Sequence, residues 1–139
     1  MAEPALGYGR LRRRSEFLSA AKGLRFNAQA FSVQAVRRPQ AGEVRFGFTT
    51  TKKIGNAVER ARMRRRLKEA IRTTEGLPVR EGHDYVFLAR REALTTPFAE
   101  LSTQIVRALA EIGTKLDYKS RQPKKTGTDQ VSMKVADRR

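Results

Sequence analysis

Gly47-Phe-Thr-Thr-Thr-Lys52-Lys53-Ile-Gly55-Asn56-Ala-Val-Glu59-Arg60-Ala61-Arg62-Met63-Arg64-Arg65-Arg66-Leu67 is the stretch on which the reading of this chain turns. It opens as the end of an alternating strand, crosses a Lys-Lys-x-Gly loop and becomes a helix. Asn56 followed by Glu59 is close to a capping box, in which the Asn side chain takes a free N–H of the first turn. The spacing predicts a helix from about Ala57 to Thr74, with Met63, Leu67, Ala70 and Ile71 as its apolar stripe.

Seven basic residues fall between Arg60 and Arg72: Arg60, Arg62, Arg64, Arg65, Arg66, Lys68 and Arg72. Those four apart form rows spaced by roughly 6 Å. Like charges at this spacing cost a few tenths of a kcal/mol per pair. Glu69, within reach of Arg65, Arg66 and Arg72, relieves only part of that. A solvated basic face is the ordinary fate of a charge run, but here too little acid is interleaved. A bound row of phosphates would remove the conflict, and arginine suits phosphate through its bidentate fork.

Upstream, Ser15 is the expected N-cap of a short helix through Lys22, ended by Gly23, with Phe17, Leu18 and Ala21 on its inner side. From Ala30 to Val36 the pattern alternates, placing Phe31, Val33 and Ala35 on one face and Ser32, Gln34 and Val36 on the other. Arg38 to Gly42 reads as a turn. Val44, Phe46 and Phe48 then alternate with Arg45, Gly47 and Thr49. The short separation suggests that these two runs form an antiparallel pair.

Downstream, Tyr85 to Arg90 is apolar on both faces, as a buried central strand would be. Thr96-Pro97 reads as N-cap and first helical position. Phe98, Leu101, Ile105, Leu109 and Ile112 repeat at helical spacing up to Gly113. The expected organisation is therefore a flexible N-terminal arm (1–9), one folded domain (10–113) and a basic, disordered tail (114–139).

The 139-residue chain carries 30 Lys+Arg against 14 Asp+Glu, a formal net charge of +16. That imbalance favours a polyanionic partner. There is no cysteine, which excludes a disulfide framework, a thiolate metal site and a cysteine nucleophile. His83 is the only histidine and reads as a turn residue, without partners for a triad or a metal site. Glu59 reads as a helix cap, and Glu81 and Asp84 suggest no carboxylate pair for acid–base work. No protein metal site and no protein catalytic residue are expected. No apolar run is long enough to cross a membrane.

The quoted segment resembles the signature of the bacterial ribonuclease P protein family, Gly-x-Ser-x-Ser/Thr-Lys-Lys-x-Gly-Asn-Ala-Val-x-Arg-Asn-Arg-x-Lys/Arg-Arg. Lys52, Lys53, Gly55, Asn56, Ala57, Val58, Arg60, Arg62, Arg64 and Arg65 match it, and Ala61 stands where the family has its central Asn. The resemblance covers about residues 10–113. It implies an α+β single-domain sandwich like the second domain of ribosomal protein S5, with a left-handed βαβ crossover through the basic helix. It implies a protein subunit of a ribonucleoprotein endoribonuclease that removes the 5′ leader of precursor tRNA. The RNA subunit would do the chemistry and bind most of the Mg²⁺.

Carried over to this chain, the resemblance puts the RNA-binding surface on Lys52, Lys53, Asn56, Arg60, Arg62, Arg64, Arg65, Arg66 and Lys68. The leader cleft would use Phe17, Gln34, Arg12 and Arg13. Ala21 and Gln34 stand where the family has aromatic residues, which leaves Phe17 as the main stacking platform. The expected partners are ribonuclease P RNA and the precursor tRNA leader, with one protein per RNA, no membrane and a cytoplasmic location. A ribosomal protein or RNA chaperone would share the charge and the fold. A DNA-binding or membrane-surface protein would lack support from any wide exposed apolar helix face.

Overall fold

Tyr85, Val86 and Phe87 are all buried, so their strand has both faces covered and occupies the middle of the sheet. The computed structural model describes residues 8–39 and 42–121. In chain order the elements are β1 (Gly9–Arg10), α1 (Arg14–Ala21), β2 (Leu24–Asn27), β3 (Phe31–Arg37), β4 (Arg45–Thr49), α2 (Ala57–Thr73), β5 (His83–Ala89) and α3 (Phe98–Arg121). Single 3₁₀ turns at Lys52–Ile54 and Arg91–Leu94 precede α2 and α3. The sheet order is β1-β4-β5-β3-β2. This is the expected α+β domain, and β4 and β5 are parallel neighbours joined by the basic helix α2.

The expected antiparallel pairing of β3 with β4 does not occur. β5 lies between them, antiparallel to β3 and parallel to β4. A strand apolar on both faces needs a neighbour on each edge, and Asp84 at its start draws in a basic residue from each side. Its Oδ1 accepts from Arg38 Nη1 at 2.6 Å, and its two oxygens accept from Arg45 Nε and Nη2 at 2.9 and 2.8 Å.

Helices cover both faces. Phe31, Val33, Ala35, Phe46 and Phe87 meet the stripe Met63, Leu67, Ala70 and Ile71 of α2 and the stripe Leu101, Ile105, Leu109 and Ile112 of α3. The four predicted α2 stripe residues are all buried. On the opposite face α1 packs Ala20 and Phe17 against Leu11, Val36 and Val86.

Four further differences from the sequence reading have local causes. α1 starts at Arg14 with Arg13, not Ser15, at the cap, because Glu16 Oε1 reaches back to accept from the N–H groups of Arg12 and Arg13, both at 2.9 Å. Its inner side is Ala20 with Phe17, while Leu18 and Ala21 face outward. α3 does not end at Gly113 but continues to Arg121, since Leu116 extends its stripe against the core, Arg80 Nη2 donates to the Gly113 carbonyl at 3.0 Å and Arg80 pairs with Asp117. At the other end of the domain, the last residues of the expected N-terminal arm are structured: Tyr8 packs edge-on against Phe46 at 5.0 Å between ring centroids, and Gly9 opens β1. Residues 1–7, Gln40 and Ala41 of the expected turn, and the tail from 122 lie outside the described residues.

Candidate nucleic-acid interface

The start of α2 is fixed by the reciprocal cap that its sequence predicts. Asn56 Oδ1 accepts from Glu59 N at 2.8 Å, and Glu59 Oε1 accepts from Asn56 N at 3.0 Å. Glu59 also pairs with Arg91 at 3.0 Å, and Arg91 Nη1 donates to the Ile54 carbonyl at 2.7 Å. The Arg91 guanidinium first, and the cap N–H second, hold the Glu59 carboxyl below the usual carboxylate range. Gly55 leaves room for this clamp, because a Cβ there would lie 2.6 Å from Glu59 Oε1 and 3.0 Å from Arg91 Nη1. The loop carrying Lys52 and Lys53 is thus tied to the helix from below, with both lysines exposed.

The arginines of α2 divide by orientation. Arg66 is turned inward, donating to the carbonyls of Ala93 at 2.5 Å and Thr96 at 2.7 Å. Arg60 Nε donates back to the Gly55 carbonyl at 3.1 Å, and Arg64 Nη1 to Thr50 Oγ1 at 3.2 Å. Arg72 pairs with Glu69, whose carboxyl is lowered by that bond. Arg62 and Arg65 are exposed and make no hydrogen bond or ion pair with any described residue. Arg62 and Arg65, with Lys52 and Lys53, therefore present uncompensated charge beside the half-exposed Arg60. Val58, 78% exposed, adds an apolar contact point on the first turn.

Phe17 lies over Gly47 on the α1 side of the sheet. A Cβ at Gly47 would stand 2.6 Å from Phe17 Cε1, so the glycine makes room for the ring. β1 covers β4 only as far as Phe46, which leaves the outer edge of β4 open beyond it. Arg64 and Lys68 of α2 come round that edge, and with Phe17, Gly47 and Arg10 they line a cavity of about 110 Å³. Phe17 is therefore brought together with part of the basic helix. Gln34 shares its sheet face, in register with Val86, which is in register with Gly47. Two strand spacings put Gln34 about 10 Å from Gly47.

Arg13 goes elsewhere. It lines a different, larger cleft of about 480 Å³ on another side of α1, together with Ser15, Ser19 and Arg37. Arg12 is exposed at the entry to the helix.

Asp84 went unread in the sequence as a structural anchor. A carboxylate opening a strand apolar on both faces has to be paired, and that is the signal that could have found it. His83, expected in a turn, opens β5 instead, with its Nδ1 bonded to the Glu81 carbonyl at 2.9 Å. Among the described residues no three His, Cys, Asp or Glu side chains converge as a metal site, and no helix is long and apolar enough to cross a membrane.

A family model described as Ribonuclease P matches residues 8–113. The ribonuclease P protein component of Caulobacter vibrioides is 44% identical over 117 residues, covering 84% of this chain and 78% of that protein. The corresponding component of Brucella suis is 40% identical over 112 residues, covering 75% and 79%. Among solved structures, the RNase P protein of Thermotoga maritima superposes with a TM-score of 0.61 at 24% identity, covering 73% of this chain and 96% of that one. A mutant Staphylococcus aureus RNase P protein gives 0.64 at 21% identity, covering 75% and 87%. At these identities the structural likenesses establish the fold.

Proposed function

This chain belongs to the ribonuclease P protein family, and from that premise we propose that it binds the catalytic RNA through α2 and the 5′ leader of precursor tRNA beside Phe17. In this reading it assists endonucleolytic removal of the leader, as a monomeric protein subunit in the cytoplasm. The observation that carries the proposal is the outward, unpaired pair Arg62 and Arg65 beside Lys52 and Lys53. Phosphate contacts are the plain physical use of such a surface, since each one releases counterions. Arg64 reaches from the same helix to the Phe17 cavity, so a strand stacked on Phe17 would lie within range of that helix.

Mg²⁺ takes oxygen ligands in near-octahedral geometry. Glu16, Glu59, Glu69 and Asp84 are each engaged by arginine. These residues do not make a Mg²⁺ site. In the proposal the ion belongs to the RNA, and no chemical step is assigned to a side chain of this protein.

The test is cleavage of precursor tRNA by the cognate ribonuclease P RNA at low Mg²⁺, with and without the protein. Restored leader removal supports the reading, and the Arg62→Ala/Arg65→Ala variant should then need more protein for the same rate. RNA binding with cleavage unchanged across Mg²⁺ concentrations would move the chain to a ribosomal or chaperone role.

A further inference from the structure

Ala35 of β3 and Tyr85 of β5 are paired and buried on the face of the sheet that α2 and α3 cover. Two residues on, toward the same end of the sheet, Arg37 and His83 are paired and stand on that same face. The last turns of α3 are held beside them by Arg80, which donates to the Gly113 carbonyl and pairs with Asp117. A cavity of about 340 Å³ remains between these parts, with Leu24, Ala35 and Leu116 as apolar walls and Arg37, Arg80 and His83 as polar ones. It lies across the sheet from Phe17. About 17 Å of β5 separates His83 from Leu88, which is in register with Thr49 at the head of the motif loop.

The lining sorts by what is already engaged. Arg80 is held by α3, but Arg37 is exposed, and its side chain makes no hydrogen bond or ion pair with a described residue. No Asp or Glu is among the described residues that line the cavity. His83 is fixed as a flat wall: its Nδ1 donates to the Glu81 carbonyl at 2.9 Å, and its ring stacks on Tyr85 at 6.4 Å between centroids. Leu24 and Leu116 pack on the core yet stay half-buried. An apolar slot with an aromatic wall suits a planar ring, and a free guanidinium beside it suits a phosphate. The volume is near the low end of the usual range for small-molecule sites, roughly 300–1,000 Å³, which fits one nucleotide and not a stacked run. The chain's own residues 122–139 are a poor charge match for an arginine-lined cavity, since they carry Lys124, Lys125, Lys134, Arg138 and Arg139 against Asp129 and Asp137.

We propose that this cavity takes a single unstacked nucleotide of the RNA partner, with its base between Leu24 and Leu116 against His83 and its phosphate on Arg37. The proposal rests on the RNA partner proposed above, and adds to that reading a base-holding site on the face of the sheet away from Phe17. A free mononucleotide offers the same ring and phosphate.

The experiment titrates isotope-labelled full-length protein with a short single-stranded RNA, with an abasic strand of the same length and with adenosine 5′-monophosphate. NMR follows the methyl groups of Leu24, Ala35 and Leu116, at varied salt. Arg37→Ala is compared with Arg107→Ala, which removes one exposed charge from α3. Neither arginine side chain bonds to a described residue, so both variants should keep the wild-type Tm.

The expected result is that the RNA moves the three methyl signals and the abasic strand does not. Arg37→Ala should weaken that binding, with a slope of log K against log salt shallower by about 0.7, the contribution of one phosphate contact on a single strand. Arg107→Ala should match the wild type. Saturation by the mononucleotide as readily as by RNA assigns free nucleotides as the source, and weaker saturation assigns the RNA chain. Equal shifts from the RNA and the abasic strand would reduce the site to a phosphate contact, and Overhauser contacts from residues 122–139 into the cavity of the free protein would give it to the chain's own tail. Either result overturns the proposal. If the RNA leaves the three signals still while the protein restores leader removal by ribonuclease P RNA, the cavity proposal falls and the proposed function stands. If leader removal is not restored either, both fall.

Discussion

Arg62 and Arg66 are one turn apart on α2 and identical in type, yet only Arg62 is free to meet a partner. Arg66 donates to two carbonyls, of Ala93 and Thr96, that close the turn before α3. Arg66→Ala strips both acceptors of a charged donor and should cost about 1–3 kcal/mol of stability. Arg62→Ala should leave Tm unchanged and weaken RNA binding. Thermal unfolding and RNA titration of both variants check this; an Arg66→Ala protein with wild-type Tm would remove Arg66 from the framework. The division was partly legible, because position 66 lies three after Met63 and four before Ala70, at the margin of the buried stripe. Counting arginines, or matching a motif, treats all of them as surface. What the count missed is that the loop before α3 leaves carbonyls over α2, a tertiary fact.

At the scale of elements, patterns within one segment were readable and pairings between segments were not. The α2 cap, the α2 stripe and the faces of β3 follow from local spacing. The placing of β5 between β3 and β4 depends on which strand must have both faces covered, and Asp84 reports it only once Arg38 and Arg45 are seen to converge. β2 was missed because four residues between Gly23 and Ala28 give too short an alternation to stand out.

The same network seats α1. Arg45 holds Asp84 on the sheet and Glu16 on the helix, and Glu16 holds the N–H groups of Arg13 and Arg12. Those two N–H groups first, and Arg45 after them, keep the Glu16 carboxyl below its ordinary value. A carboxyl depressed in the folded state contributes stability above its unfolded value, about 4.3, and that contribution is lost as pH falls through the folded value. Seating of α1 should therefore loosen as pH falls below about 4.3. Hydrogen exchange at Ala20 and Ala21 amides across the range below about pH 4.3 reads this directly. Glu16→Gln should flatten the acid dependence at those amides, and a variant that kept the full wild-type dependence would remove Glu16 as its source.

For the whole molecule the governing quantity is the net charge of +16. Self-repulsion of this size opposes the compact state, and the internal ion pairs at Asp84, Glu16, Glu59 and Glu69 offset only part of it. Salt then acts in opposite directions on the free and bound protein. In the free chain it screens the repulsion, so Tm should rise between roughly 50 and 200 mM salt. With RNA bound, stability includes the binding term, which grows with RNA concentration over Kd. Each phosphate contact releases counterions, so salt weakens that term steeply. The Tm gain on adding RNA should therefore shrink over the same salt range in which the free protein gains stability, and the two curves should converge. Differential scanning of free and RNA-bound protein at matched salt measures both. A free-protein Tm that falls with salt would mean that internal ion pairs outweigh repulsion, and the charge would then have to be explained as part of the fold and not as the imprint of its partner.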